Sequence, residues 1–143
     1  MATVAEIMNR DVLAVDPTAS IGEAAEKMMD GGVGAVVVME DMVRMVGIIT
    51  ERDILQRVVV PRLDPGVTLV QDVMTTELVC CQPHTSLEEA RGVLKNRRIR
   101  HLPVVDEYKR LVGMISIGDL NAHEAHDHEF TIHVLQEYIY GRV

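Results

Sequence analysis

The sequence predicts an α/β fold (the α+β sense is also defensible), and three observations predict it. Short apolar runs of β character alternate with stretches of helical periodicity. The whole set of elements occurs twice, at a constant offset: Gly47 and Gly113, like Asp53 and Asp119, stand 66 positions apart. The apolar content is 48% with a single Phe and no Trp, so the core must be built from aliphatic side chains.

The offset holds without a gap. Met8 meets Met74, Pro17 meets Pro83, Ser20 meets Ser86, Val38 meets Val104 and Arg44 meets Arg110. A unit of roughly sixty residues exceeds the ~20–50 of solenoid repeats, so the chain reads as a tandem duplication. The first repeat is expected over 1–64, the second over 67–120, and a C-terminal helical extension over 121–143. Neither half is large enough to cover its own small sheet well. The two are therefore expected to pair their sheets around a pseudo-two-fold axis and form one module.

Val4 to Met8 is a short apolar lead-in, matched by Val70 to Met74. Val12 to Val15 is a β-type run stopped by Asp16-Pro17, since proline fixes its own φ and biases its predecessor. Ser20 and Glu23 have the spacing of a capping box, and a helix to about Met29 follows with Ile21, Ala24, Ala25 and Met28 on one face. Asp30-Gly31-Gly32 ends it. Ala35 to Met39 is apolar throughout, as in a strand covered on both faces. After a turn at Glu40-Asp41, Arg44 to Ile49 is a strand expected to run antiparallel to it, and Thr50 opens a helix to about Val58.

The second copy repeats this order. Leu78 to Cys81, a helix from Ser86 to Lys95 with its own capping box, His101 to Val105, Arg110 to Ile115 and a helix from Ser116 follow in turn. Pro61 to Gly66 is a linker of turn formers. From Leu120 to Tyr140 the chain looks helical, and this extension has no counterpart in the first copy.

Composition excludes several functions. A net charge of −8 argues against binding a phosphate backbone, which needs clustered Lys and Arg, and three per cent aromatic content disfavours base stacking. No signal peptide opens the chain and no apolar run approaches the ~18 residues of a membrane span, which points to the cytoplasm. Cys80 and Cys81 are neighbours that point to opposite faces of a strand, and they read as buried small side chains. No nucleophile elbow, Walker loop, dinucleotide fingerprint or nucleophile–base pair is present, so an enzyme is not expected.

Two stretches stand out: Gly47-Ile48-Ile49-Thr50-Glu51-Arg52-Asp53 and Gly113-Met114-Ile115-Ser116-Ile117-Gly118-Asp119. With Ile99 to Asp106 and the gap-free duplication, they resemble a pair of CBS domains, the module named after cystathionine β-synthase. The likeness covers Val4 to Leu120 and extends to stand-alone paired CBS proteins of bacteria and plants. It implies a regulatory sensor rather than a catalyst, with no required cofactor. Its effector would be an adenosine-containing ligand (AMP, ADP, ATP, NAD(H) or S-adenosylmethionine) bound in clefts between the repeats.

The resemblance assigns the ribose hydroxyls to Asp53 and Asp119, and a place beside the ribose-phosphate to Thr50 and Ser116. It walls the adenine slot with Ala14 and Ala19 in one copy and Cys80 and Thr85 in the other. It also brings phosphate-contacting side chains just before the Leu-Pro-Val-Val strand, which here are Arg100 and His101. The first copy has Gly34-Ala35 there, and Arg52 is the side chain able to compensate. The clefts are thus expected to differ, with the one holding Arg100, His101, Ser116 and Asp119 taking the more phosphorylated ligand. Homodimers and an unidentified regulated partner are further implications.

The residue types suit these roles. A carboxylate can accept both vicinal hydroxyls of a ribose. On spacing alone, however, Thr50/Asp53 and Ser116/Asp119 are also plain helix caps, and capping can coexist with binding. The histidines His123, His126, His128 and His133, set among Glu124, Asp127 and Glu129, suggest a metal-responsive alternative, although an exposed helical face explains them more simply. A ligand-free interaction or structural protein is the other alternative. The nine methionines read as core filler.

Overall fold

A computed structural model describes residues 2–127, the side chains of 126 and 127 excepted. It contains mixed helix and strand arranged in two small sheets and two compact units.

One unit comprises Asp11–Val79 with Glu107–Leu111. Its sheet has the order β1-β2-β3, from β1 (Ala14–Val15), β2 (Ala35–Glu40) and β3 (Arg44–Thr50). β1 runs parallel to β2, and β2 is antiparallel to β3 as the sequence predicts. Val36, Val37 and Val38 are fully buried, which accounts for the unbroken apolar run. α2 (Ile21–Gly31) connects β1 to β2, and it places Ile21, Ala24 and Met28 in a core with Val15, Val36, Val38 and Ile49.

The predicted helix after β3 is divided. α3 (Glu51–Ile54) passes into a π-helical turn at Leu55–Val59, closed by the Val60 amide on the Leu55 carbonyl at 3.0 Å. This unit also contains α4 (Val70–Val73), the lead-in of the second repeat, whose Val70 and Val73 join the same core.

The other unit comprises Met1–Arg10, Cys80–Asp106 and the chain from Val112. It holds α1 (Val4–Ile7), α5 (Leu87–Arg97), β4 (His101–Val105), α6 (Ile117–Asp127) and nearly all of β5 (Leu111–Ser116). α6 crosses the boundary expected at 120 without a break, and its residues up to 126 stand in register with 51–60 of the first repeat. The rest of the proposed extension, 128–143, lies outside the described residues.

Each lead-in helix therefore belongs to the unit built from the other repeat. The Val70 amide donates to the Ala19 carbonyl and the Val4 amide to the Thr85 carbonyl, both at 2.8 Å. Thr75 then pairs with Ile48, and Asn9 with Met114. Every one of these pairs repeats at the sequence offset.

Two local expectations fall short. At Ser20 and Ser86 only the serine half of each capping box forms, onto the amides of Glu23 and Glu89 at 3.1 Å. Both glutamates are exposed, where water competes for them. In the second copy the strand expected over 78–81 reduces to a bridge between Cys81 and Val104. In the first copy the Val37 amide donates to the Leu13 carbonyl at 3.0 Å; Pro103 occupies the matching position and has no N–H to give.

Candidate functional site

The residues singled out in the sequence fall into two sets, and each set lies inside one unit. Ala14, Ala19, Thr50, Arg52 and Asp53 belong to the first; Cys80, Thr85, Arg100, His101, Ser116 and Asp119 belong to the second.

In the first set Thr50 is the N-cap of α3. Its hydroxyl accepts from the Asp53 amide at 3.2 Å, and the Asp53 carboxylate answers through Oδ2, accepting from the Thr50 amide at 3.0 Å and the Thr50 hydroxyl at 3.1 Å. The second oxygen, Oδ1, accepts from the Thr75 hydroxyl at 2.9 Å. Asp53 is only 7% exposed, the one buried charged side chain among the described residues. Every polar demand of a buried carboxylate is thereby met within the protein. Arg52, one residue earlier, is exposed. Ala14 and Ala19 are half-buried, Ala19 packing against the core.

The second set has the same scaffold with a different outcome. The Ser116 amide donates to Asp119 Oδ2 at 2.9 Å, and the Asp119 amide returns a bond to the Ser116 hydroxyl at 3.0 Å. Asp119 is half-buried, and among the described residues no donor meets its Oδ1. The Arg100 carbonyl accepts from the Ile117 amide at 3.0 Å, which ties the start of β4 to the start of α6; Gly34 makes the matching bond to Glu51. Arg100 is exposed and His101 half-buried. Thr85 is half-buried, and its hydroxyl accepts from the Gln82 amide at 3.0 Å.

Burial raises the pKa of the Cys80 thiol. The neighbouring Cys81 is pushed up to about 11, by burial first and then by the negative charge potential of Cys80 and Glu89. Both thiols are therefore protonated at neutral pH.

Sequence reading missed two residues that act on these sites. Thr75 carries no local signal, because its partner Asp53 lies 22 positions away. Arg57 donates from Nη1 to the carbonyls of Val73 and Met74, at 2.9 and 3.1 Å, and so holds the end of α4. Its counterpart by the offset is His123. Among the described residues no group of three His, Cys, Asp or Glu is placed to hold a metal ion. The His126 side chain and His128 fall outside the described residues.

A duplicated α/β module with a hydroxyl-to-carboxylate motif at the end of the second strand of each pair defines a class of paired repeats. The family model of the CBS domain matches residues 4–60 and 70–125, and the chain belongs to that family. It is 42% identical over 120 residues to the CBS domain-containing protein YhcV of Bacillus subtilis, covering 84% of each chain. A solved CBS-domain protein of Burkholderia ambifaria superposes with a TM-score of 0.79 at 34% identity, covering 83% of this chain and 90% of that one. A hexameric CBS-CP12 protein of bloom-forming cyanobacteria gives a TM-score of 0.75 at 27% identity, with 83% and 66% covered. The chain is a tandem CBS regulatory module. Among the described residues no helix is long and apolar enough to cross a membrane.

Proposed function

We propose that this chain is a cytoplasmic sensor, not an enzyme, that binds an adenosine-containing ligand (AMP, ADP, ATP, NAD(H) or S-adenosylmethionine) and signals to a protein partner. The observation that carries this reading is Asp119. It is held by the Ser116 cap through one oxygen, while the other is left to accept from a ribose. Half-buried Cys80 and Thr85 supply the adenine wall, Arg100 supplies positive charge for phosphate, and His101 stands beside it at the start of β4.

Signalling follows from differential affinity. A ligand that binds one conformation of the chain more tightly shifts the population toward it, and the partner reads the shift.

The test is calorimetry with AMP, ATP, NADH and S-adenosylmethionine, preceded by mass spectrometry of small molecules released on denaturation. Asp119→Ala is expected to weaken binding at least about tenfold, since a charge-assisted hydrogen bond contributes ~1.5–3 kcal/mol and 1.4 kcal/mol is tenfold. The fold should persist. Unchanged affinity would remove Asp119 from the site.

The module is also proposed to be a homodimer. Leu55, Val59, Val60 and Leu63 are 57, 57, 69 and 44% exposed along the π-helical turn and just beyond it, an apolar strip suited to a second copy.

A further inference from the structure

The two carboxylates of the duplicated motif do not have the same hydrogen-bond partners, and the difference traces to the residue that follows each lead-in. The Met74 sulfur lies where a Cβ on Gly47 would sit, at 2.5 Å, and the Met8 sulfur does the same over Gly113 at 2.6 Å. The next residue then pairs with the same strand position: Thr75 with Ile48, Asn9 with Met114. Register is thus fixed identically in both units. Thr75 delivers a hydroxyl to Asp53 Oδ1 at 2.9 Å, whereas Asp119 Oδ1 meets no donor among the described residues.

We propose that Thr75 is a built-in occupant of the first ribose acceptor, so that the chain takes one adenosyl ligand, at Asp119, and keeps Asp53 as a structural carboxylate. The proposal rests on the sensor reading above and refines it. A ribose diol must donate to a carboxylate oxygen that has capacity left. Asp53 accepts three bonds and is only 7% exposed, so a sugar would have to compete with the Thr75 hydroxyl for Oδ1 and reach a buried group to do it. Among the described residues Asp119 accepts a single bond, and it is half-buried, which leaves both an oxygen and an approach. The charge distribution points the same way. Arg100 precedes β4 in the second unit, and Gly34 stands at that position in the first.

Asn9 against Thr75 is therefore the specificity-determining difference between the repeats. It decides the stoichiometry of binding rather than the identity of the ligand.

The experiment is isothermal titration of the full chain with AMP and with ATP. Wild type is expected to bind one molecule per chain, and Asp119→Ala to lose that event. Thr75→Ala should add a second event, which persists in the Thr75→Ala, Asp119→Ala double variant. Asn9→Thr, the reciprocal graft, should weaken the wild-type event about tenfold. It keeps the test alive if Thr75→Ala fails to fold, as judged by its thermal transition. Two events in wild type, or a Thr75→Ala protein that folds and still binds once, would overturn the proposal while leaving the sensor reading intact. No event with any of AMP, ATP, NADH or S-adenosylmethionine would overturn both.

Discussion

Gly47 and Gly113 show how much a single missing Cβ controls. A Cβ at Gly113 would meet the Met8 sulfur at 2.6 Å and the Asn9 carbonyl at 3.1 Å; at Gly47 it would meet Met74 at 2.5 Å and the Thr75 carbonyl at 3.1 Å. A methionine can swing aside, but the backbone carbonyl is part of the Asn9–Met114 pair and cannot move without breaking it. Gly113→Ala is accordingly expected to destabilise the protein by about 1–3 kcal/mol, the usual cost of overpacking, read as a lower urea midpoint at unchanged m-value. A midpoint equal to that of wild type would mean the lead-in is free to shift. Both glycines were legible in the sequence as motif members, and Asp53 and Asp119 as either caps or ligand groups. The reason for the glycines was not legible, because the atoms they make room for lie 27 positions later for Gly47 and 105 earlier for Gly113. The same distance hid Thr75. Its hydroxyl changes what Asp53 can do, yet nothing adjacent to Thr75 marks it.

At the scale of elements, helix ends were the most readable features. α2 ends on Gly32 at φ 64°, ψ 35°, the left-handed geometry that glycine adopts freely. α5 ends the same way at Arg98, φ 55°, so the second copy uses a residue with a Cβ where the first uses none. A Cβ on Gly32 would meet nothing within 4 Å, so only backbone strain opposes it. Gly32→Ala is expected to cost about 1–2 kcal/mol, seen as a lower thermal midpoint, and a neutral result would show that the α2 terminus relaxes. Capping serines, the buried β2 and the order of elements were all readable from local pattern. The π-helical turn was not, because apolar spacing alone does not separate an i+4 from an i+5 bond. The Arg57 side chain, donating from this turn to the α4 carbonyls, joins elements that sequence treats as parts of different repeats. Pro103 has no N–H to donate, and that shortens the second copy's first strand to a single bridge.

On the scale of the whole molecule, the exchange of lead-in helices has a simple consequence for reading. A gap-free duplication is unchanged if both lead-ins swap places, so the offset that revealed the repeats could not reveal which unit each lead-in joins. Contacts such as those of Val70 and Val73 in the first unit's core, and of the Val4 amide with Thr85, decide it. Burial of those helices leaves a different surface unexplained. Leu55 and Val59 are both 57% exposed, four positions apart, with Leu63 at 44% four further on. Exposed apolar side chains grouped along one segment mark a contact surface more than isolated ones do. Because they contribute little to the core, charging them should leave the fold alone. The double variant Leu55→Glu, Val59→Glu is expected to elute as a monomer of about the 15.9 kDa chain mass by light scattering, with wild type near twice that. Its thermal midpoint at low concentration should differ little from that of wild-type monomer. An unaltered dimer mass in the variant would move the contact elsewhere on the chain, and a monomeric wild type would remove the dimer.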